Sequence, residues 1–274
     1  MPSVVVTGAG RGIGLAITRH LSSGGWDVYA TARSAADLED LGRMPQVHPI
    51  RVDVTDRSAV ARLPEHLPPA LDGVVNNAGI IVQGPVEGLS LDDLARQLQV
   101  NVTAQIGVVQ AVLPHLRVAR GRVVFMSSVS GLVTLPGTGA YSASKYALES
   151  LADALRVELR PWRIPVSLIE PGPTRTDMWA NALDDYDRMT GKLSPALRDL
   201  YRSHLVGNRK FLARTQRLVG DPEKVVAAVD RALTSKRPKR RYRCDNLSRA
   251  QVAFASVLPT AATDAVLAAV TTAR

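Results

Sequence analysis

Tyr141 and Lys145 are the most informative pair of reactive side chains in this sequence, and they lie four residues apart. On a helix, that spacing puts a phenol and an ammonium group on one face, one turn apart. A neighbouring positive charge stabilises a phenolate, so we expect Lys145 to lower the pKa of Tyr141 and to permit general acid–base chemistry near neutral pH. Leu148, Leu151 and Leu155 continue this helical face, which predicts that the pair points into the protein.

A glycine-rich turn near the start of the sequence predicts a dinucleotide-binding site. Residues 7–14 read TGAGRGIG and follow an apolar run at residues 4–6. Gly8 permits a tight turn, whereas Gly12 and Gly14 let the backbone approach a pyrophosphate and pack closely on a sheet. The helix that follows would present free N–H groups and a positive dipole end to the anion. Because the glycines lie between a strand and a helix, the context favours cofactor binding over a purely structural turn.

The end of the second predicted strand favours NADP(H) over NAD(H). NAD-binding turns are usually followed, about twenty residues later, by an acidic side chain that holds the hydroxyls of the adenosine ribose. Residues 29–33 read YATAR and contain no acid. Arg33 and Arg11 could instead bind a 2′-phosphate, since the planar guanidinium group matches its oxygen atoms. The alternative is that both arginines are ordinary solvated side chains.

Length and composition limit the classes of function that the chain can have. With 274 residues and 46% hydrophobic residues, the chain can form one large α/β domain or two small ones, and the single domain is common at this length. The net charge of +9 fits a solvated surface, or attraction for anions such as a phosphorylated cofactor or an acidic membrane. The sequence contains no recognisable nucleic-acid-binding module and no metal-ligand cluster, so we expect neither nucleic acid nor a metal as a partner.

The sequence also predicts where the protein works. Cys244 is the only cysteine, so no internal disulfide can form and a reducing compartment is expected. The first strand begins almost at Met1, which argues against a signal peptide. The most apolar late stretch, residues 252–270, is interrupted by Pro259 and Asp264. We therefore expect a cytoplasmic protein without a membrane-spanning segment.

Strand-like and helix-like segments alternate through most of the sequence. The strand-like runs are residues 4–6, 27–31, 47–54, 73–75, 122–126, 165–169 and 241–243. Helix start signals lie between them, at Ser90 with Asp93 and at Asp221 with Pro222. Such alternation produces right-handed βαβ units. We expect one α/β domain over residues 1–274: a doubly wound, Rossmann-like parallel sheet of about seven strands, with helices on both faces and the ligand crevice at the carboxyl ends of the strands.

Taken together, the ordered motifs resemble the short-chain dehydrogenase/reductase family, in its single-domain branch. Besides the glycine turn and the tyrosine–lysine pair, the matching positions are Asp53-Val54, Asn76-Asn-Ala-Gly79, Asn101, Ser128 and Pro171-Gly-Pro-Thr-Arg-Thr176. The resemblance covers residues 3–177, and the segment from Leu233 onward is similar to the 17β-hydroxysteroid and retinol dehydrogenases.

The resemblance implies a redox reaction and a role for each matched residue. It implies an NADP(H)-dependent oxidoreductase that interconverts a secondary alcohol and a ketone, or a primary alcohol and an aldehyde. Tyr141 would be the general acid and base, Ser128 would bind the reacting oxygen, and Lys145 would hold the nicotinamide ribose. Asn101 would position a water molecule, or could simply satisfy a bend in its helix. The cofactor-binding residues would be Gly8, Arg11, Gly12, Ile13, Gly14, Arg33, Asp53, Val54, Asn76, Ala78, Gly79, Tyr141, Lys145, Pro171, Gly172, Thr174 and Thr176.

A segment outside these motifs bears on the substrate. Residues 175–220 interrupt the alternation, and we expect either a substrate lid or a pair of ordinary surface helices. Met178, Trp179, Leu183 and Tyr186 would bring large side chains to the cleft, which favours a small lipophilic alcohol or ketone.

The C-terminal extension, at about residues 244–274, follows a basic run at residues 236–243. That run is either a solvated edge or, together with residues 252–270, a peripheral contact with an anionic membrane. Members of the family usually pair through two helices, here at about residues 92–114 and 141–160. The resemblance therefore implies a homodimer or a homotetramer.

Two other functions stay open at this point. A broad-specificity carbonyl reductase would carry the same residues. A non-catalytic, dinucleotide-binding redox sensor could use the same fold, because a fold does not determine a function. A sensor would be free to lose the tyrosine or the lysine, and this sequence has both.

Overall fold

One parallel sheet of seven strands organises the chain. The structure, a computed structural model, describes residues 1–272, apart from the side chains of Asp177, Met178, Leu247, Gln251 and residues 254–257. The strands are β1 (Ser3–Val6), β2 (Asp27–Ala32), β3 (Val47–Arg51), β4 (Gly73–Asn76), β5 (Arg122–Met126), β6 (Val166–Glu170) and β7 (Arg241–Arg243). They lie in the order β3-β2-β1-β4-β5-β6-β7, and neighbouring strands are parallel.

Helices connect the strands. They are α1 (Gly12–Ser23), α2 (Ala35–Gly42), α3 (Arg57–Arg62), α4 (Leu91–Leu98), α5 (Ala104–Ala119), α6 (Gly139–Glu158), α7 (Asp177–Ala180), α8 (Ala182–Lys192), α9 (Pro195–Leu200), α10 (Arg202–Gln216), α11 (Pro222–Thr234), α12 (Asn246–Val257) and α13 (Thr260–Thr271). A π-helical turn joins α4 to α5 at Gln99–Thr103, and 3-10 turns lie at Leu63–His66, Val86–Gly88, Val129–Gly131 and Arg160–Trp162. The predicted caps are present, since the side chains of Ser90 and Asp221 accept hydrogen bonds from the first turns of α4 and α11.

Alternating side chains of the central strands build a separate core on each face of the sheet. In β1, Val4 and Val6 belong to one buried cluster, together with Ile17 of α1 and Val229 of α11. Val5 belongs to the other cluster, which includes side chains of α3, α5 and α6. Because helices cover both faces, the strands are apolar along their length, as is typical of parallel sheets. The predicted doubly wound α/β fold is therefore confirmed.

The third strand is shorter than the sequence predicts. β3 ends at Arg51 instead of residue 54. The chain turns at Asp53, whose Oδ1 accepts hydrogen bonds from the backbone N–H and the hydroxyl of Thr55 at 2.9 and 2.7 Å. An aspartate turn of this kind competes with the hydrogen bonds of a sheet. Asp53 and Val54 therefore lie in the loop beyond the carboxyl end of β3.

Residues 175–220 form an insertion that leaves and re-enters the fold at one place. The insertion carries α7 to α10. Its two ends are joined by backbone hydrogen bonds, in which Arg175 N donates to Gly220 O at 3.0 Å and Gly220 N donates to Pro173 O at 2.8 Å. The insertion is consequently anchored directly after β6, at the segment that the sequence predicts to hold the nicotinamide.

The C-terminal extension consists of α12 and α13, which follow β7. The two helices are separate because Pro259 begins the second one, and α13 packs against α10 of the insertion. Within the described residues, no helix is both long and apolar enough to cross a membrane.

Gly14 is the position at which the fold leaves least room for a side chain. A Cβ atom there would lie well inside contact distance of the Gly8 carbonyl oxygen and 2.5 Å from Asn77 Nδ2. We expect Gly14→Ala to lower the free energy of unfolding by about 1–3 kcal/mol, because the overlap forces α1 away from the sheet. Denaturant unfolding of the cofactor-free protein measures this change.

Gly107→Ala is the matched control, because a Cβ atom at Gly107 in α5 would meet no described atom within 4 Å. It should leave stability unchanged or raise it by up to about 1 kcal/mol through its higher helix propensity. Equal stabilities of the two variants would contradict the close packing of α1.

Candidate active site

A cleft of about 1300 Å³ lies at the carboxyl ends of the strands. Segments that end or follow six of the strands line it, at residues 10–13, 31–33, 52–55, 77–83, 126–130 and 171–174. In open parallel sheets, this edge is where ligands bind. The cleft is therefore the candidate active site.

Tyr141, Lys145 and Ser128 meet in the floor of this cleft. Tyr141 lies in the first turn of α6, and Ser128 lies two residues beyond β5. The Ser128 hydroxyl hydrogen-bonds the phenol of Tyr141. Lys145 Nζ lies 5.7 Å from the centre of the Tyr141 ring and donates a hydrogen bond to Met126 O at 2.7 Å. The structure thus brings together a proton donor, a hydroxyl and an ammonium group.

The pKa of Tyr141 is raised, because the protein around it disfavours the phenolate, and the hydrogen bond from Ser128 only partly opposes this. The net shift is opposite to the lowering that the sequence predicts, because burial outweighs any effect of the Lys145 charge. The Lys145 ammonium lies over the ring and is itself buried, which lowers its own pKa to about 8, although Glu149 opposes the change. At neutral pH the phenol is therefore protonated and able to donate.

Asn101 lies in the π-helical turn between α4 and α5, and its side chain is fully used in hydrogen bonds. Oδ1 accepts from Ile80 N at 2.9 Å, and Nδ2 donates to Ile80 O at 2.9 Å and to Ser144 Oγ at 3.2 Å. These bonds hold the loop after β4 against α6. These bonds go to the loop after β4 and to α6 and not to the π-helical turn itself, so a satisfied bend and a positioned water molecule both stay predictions.

The amino end of α1 has the features that bind the pyrophosphate of a dinucleotide. Gly8 and Gly12 have φ values of 64° and 56°, which glycine adopts without strain. Arg11, the residue before α1, makes no side-chain hydrogen bond to the first turn, whereas Ser34 caps α2. The first N–H groups of α1 are thus left without a side-chain cap beside the cleft, an arrangement suited to a phosphate group.

Two arginines lie at the end of the cleft where the adenosine would bind. Arg11 and Arg33 both line the cleft and are exposed, and Arg33 Nη1 lies 3.8 Å from Asp53 Oδ2. Asp37 also lines this end, and its side chain packs against Gly10. This carboxylate was missed by sequence reasoning, because it lies in α2 and not at the end of the second strand.

Two residues of the predicted cofactor-binding set do not line the cleft. Asn76 is fully buried at the end of β4, and Gly14 packs against Gly8 below the turn. Asn77, which follows Asn76, and Gly10, which lies in the same turn as Gly14, line the cleft instead. The other predicted residues do line it: Gly8, Arg11, Gly12, Ile13, Arg33, Asp53, Val54, Ala78, Gly79, Tyr141, Lys145, Pro171, Gly172, Thr174 and Thr176.

Leu151 and the lid residues are also placed differently from the prediction. Leu148 is buried but Leu151 is 40% exposed, because six residues after Lys145 correspond to about 240° around the helix. Trp179 and Tyr186 line the cleft and Leu183 does not. The side chain of Met178 lies outside the described residues.

The insertion gives the cleft an apolar wall. Trp179, Ala182 and Tyr186 face it from α7 and α8, and Phe211 and Leu212 face it from α10. Among the described residues, no group of three or more His, Cys, Asp or Glu side chains is arranged to hold a metal ion. The cleft that contains Tyr141 therefore has an apolar wall.

The family model described as short chain dehydrogenase matches residues 2–187. The chain is a short-chain dehydrogenase/reductase. Members of this family are oxidoreductases that act on CH–OH donors, and their fold binds a nicotinamide dinucleotide.

Several individual relatives match almost the whole chain. Retinol dehydrogenase 5 of Mus musculus is 34% identical over 277 residues, which are 96% of this chain and 87% of the mouse protein. An NADPH-dependent 3-dehydrocapnine reductase of Ornithobacterium rhinotracheale is 32% identical, over 88% of this chain and 87% of that protein. A solved short chain dehydrogenase from Burkholderia cenocepacia, in complex with NADP, is 25% identical with a TM-score of 0.76 and covers 97% of each chain. The predicted family is confirmed.

Thr7 is a positioning residue of this short-chain dehydrogenase/reductase that was not in the predicted set. Its Oγ1 accepts hydrogen bonds from Asn77 N at 2.9 Å and Ala78 N at 3.1 Å. Asn77 Nδ2 in turn donates to the Thr7 and Gly8 carbonyl oxygens at 3.0 and 3.2 Å. The loops after β1 and β4 are thus joined beneath the cofactor-binding end of the cleft.

Thr7→Val should lower the free energy of unfolding by about 1–2 kcal/mol, because two partly buried N–H groups lose their acceptor. Thr18→Val is the control, since the buried Thr18 hydroxyl has no hydrogen-bond partner among the described residues. Denaturant unfolding should show little change or a gain for Thr18→Val. An equal loss in both variants would contradict the role of Thr7.

Proposed function

We propose that this protein is an NADP(H)-dependent oxidoreductase that interconverts a secondary alcohol and a ketone, or a primary alcohol and an aldehyde, of a lipophilic substrate. The observation that carries the proposal is the meeting of Tyr141, Ser128 and Lys145 in the floor of the cleft, beside residues 171–176. Each group has a distinct part to play in moving a proton to or from a carbonyl oxygen.

In the reducing direction, the substrate oxygen would lie within hydrogen-bond reach of the Tyr141 and Ser128 hydroxyls. When bound, the dinucleotide supplies the hydride. Negative charge then grows on the substrate oxygen, and Tyr141 donates its proton there. Its raised pKa keeps the phenol protonated at neutral pH. Lys145 stabilises the phenolate that remains, and Tyr141 takes the proton back in the oxidising direction.

The residues that would hold the dinucleotide follow the length of the cleft. The turn at residues 8–13 would bind the pyrophosphate, Asp53 and Val54 the adenine, and residues 77–79 the middle of the cofactor. Residues 171–176 and Lys145 would hold the nicotinamide end. Arg11 and Arg33 would bind a 2′-phosphate, and the relatives named for NADPH and NADP support this choice.

Arg33→Gln tests the choice of cofactor. We expect the dissociation constant for NADPH to rise about tenfold or more, because a charge-assisted bond to the 2′-phosphate is lost, while NADH binding stays unchanged. Titration of cofactor fluorescence with the purified protein measures both constants.

Arg62→Gln removes the same charge from an exposed site outside the cleft and is the control. A clear preference of the unaltered protein for NADH, or equal weakening of both cofactors by Arg33→Gln, would contradict the proposal.

The substrate class is argued from the wall of the cleft. Val133, Leu135 and Pro136 line it, and Trp179 and Phe211 of the insertion line it as well. Apolar walls with a few polar groups at the reacting end favour a lipophilic alcohol or ketone. The match to retinol dehydrogenase 5 supports this choice. We propose that residues 175–220 act as the substrate lid.

Tyr141→Phe tests the enzyme hypothesis. We expect kcat to fall by about 10²- to 10⁴-fold, since the general acid is lost while the ring remains. NADPH consumption is measured with ketosteroids, retinal and small aldehydes, and NADPH binding is measured separately. Binding should change little, because the phenyl ring still fills its site.

Tyr146→Phe, one position after Lys145 and 43% exposed, should leave kcat unchanged. Unaltered turnover in Tyr141→Phe would contradict the enzyme hypothesis. Tight NADPH binding without any turnover by the unaltered protein would favour a redox sensor. Equal turnover of small hydrophilic carbonyls would favour a broad-specificity carbonyl reductase.

Self-association is a further part of the proposal. The family typically oligomerises, and the resemblance predicts pairing through α4–α5 and α6. Large apolar side chains are exposed there, at Val118 of α5 and at Leu151 and Val157 of α6. Such exposure supports a homodimer or homotetramer, because apolar patches on neighbouring elements are typical of interfaces. A cytoplasmic location stays a prediction.

A further inference from the structure

A buried ion network lies behind the active site, on the side of Lys145 that faces away from the cleft. Glu149 follows Lys145 by one turn of α6, and its side chain is 7% exposed. Glu170, the last residue of β6, has a fully buried side chain. Neither glutamate lines the cleft. The proposed reaction does not use them directly, so their burial requires a separate explanation.

Arg241 of β7 joins the two carboxylates. Its Nε lies 2.9 Å from Glu149 Oε2 and 3.2 Å from Glu170 Oε1. Its Nη2 donates to Asp153 Oδ2 at 2.8 Å, and Arg243 Nε lies 3.3 Å from Glu170 Oε2. The network therefore connects the helix that carries Tyr141 and Lys145 with the strand that leads into residues 171–176.

Burying two carboxylates is costly in free energy. A contact that only attached β7 to the edge of the sheet would not require both of them. Oε1 of Glu149 has no hydrogen-bond partner among the described residues, and Oε1 of Glu170 has only its ion pair with Arg241. A buried oxygen without a partner is destabilising. Arg241 already has the more exposed Asp153 as a partner on α6. The attachment of β7 to α6 therefore does not require a second carboxylate one turn from Lys145.

The Glu149 carboxylate stabilises the charged form of Lys145. The Lys145 side chain is buried, and its hydrogen bond to Met126 O neutralises none of its charge. Glu149 opposes the effect of burial and raises the pKa of Lys145 toward its ordinary value. The backbone of Lys145 and the side chain of Glu149 both pack against Gly131, which follows Ser128.

We propose that Glu149 is a positioning residue: its buried carboxylate, held by Arg241 and one turn from Lys145 on α6, is the counter-charge of the buried Lys145 ammonium. This inference rests on the proposed function, because it assigns Glu149 a role through Lys145. Arg241 orients Glu149, and Glu170 and Arg243 complete the network.

Charged groups of both signs surround Glu149. Lys145 and Asp153 lie on its own helix, Glu170 lies on β6, and Arg241 and Arg243 lie on β7. If the Glu149 carboxylate is removed, the anion one turn from Lys145 is lost while the two arginines keep their charge. The pKa of Lys145 then falls below about 8, so the ammonium loses its proton at lower pH.

The test is the pH dependence of kcat/KM for NADPH-dependent ketone reduction by Glu149→Gln. We expect the alkaline limb to move to lower pH by about one unit, since an opposite charge at close range shifts a pKa by about that amount or more. Activity at pH 6 should stay near that of the unaltered enzyme, and activity at pH 8 should fall several-fold. Glu149→Asp keeps the charge and should restore much of the profile.

Asp153→Asn is the matched control, because it removes a carboxylate that also binds Arg241 on the same helix, two turns from Lys145. The same shift in this control would overturn the inference, and so would a uniform loss of kcat without a shift in Glu149→Gln. If Glu149→Gln fails to fold, Glu149→Met decides, because it removes the same charge with an apolar side chain of similar length and should also move the alkaline limb to lower pH. An unmoved alkaline limb there would count against the proposal.

A failure of the inference about Glu149 can be distinguished from a failure of the proposed function. If the enzyme hypothesis is wrong, Tyr141→Phe retains full turnover. If only the role of Glu149 is wrong, turnover depends on Tyr141 but the alkaline limb of Glu149→Gln stays in place.

Discussion

The hydrogen bond from Lys145 Nζ to Met126 O is the interaction on which the active site depends. It attaches the first turns of α6 to the end of β5, and so brings Tyr141 beside Ser128. A lysine can be buried in this way only if its charge has partners, because an isolated ammonium inside a protein is strongly destabilising. The Tyr141 ring lies on one side of this ammonium and Glu149 follows one turn behind. The reactive end of the cleft is thus built around one buried positive charge.

Much of the fold could be predicted from sequence, because its signals are local. Apolar runs, the glycine turn and the caps at Ser90 and Asp221 each act within a few residues, and the structure has all of them. The errors have physical causes that local patterns do not contain. β3 ends early because the Asp53 side chain binds its own loop, and Leu151 is exposed because helical periodicity carries it off the inward face.

Most residues of the candidate site could be predicted from the sequence. Their pKa shifts and hydrogen-bond partners were harder to predict. Spacing places Tyr141 and Lys145 on one face, but it does not show that burial raises the pKa of the phenol and lowers that of the ammonium. Spacing also does not show that the Asn101 side chain hydrogen-bonds the backbone of Ile80, or that Asp37 packs against Gly10. Those features depend on contacts between residues that are distant in sequence or on separate elements.

Two groups of arginines differ in their partners: Arg241 and Arg243 bind carboxylates of the protein, whereas Arg11 and Arg33 are exposed in the cleft. Arg241 and Arg243 belong to the basic run at residues 236–243, yet both bind carboxylates and so contribute little attraction for an external anion. This pairing accounts for two of the six basic residues of the run, and the choice between a solvated edge and a membrane contact stays a prediction. Arg11 and Arg33 are exposed at the adenosine end of the cleft, and the one ion pair found there for Arg33 is a long one. A long, exposed pair is weak and can be exchanged for a phosphate group. Arg11 and Arg33 are therefore available to an anion at this end of the cleft.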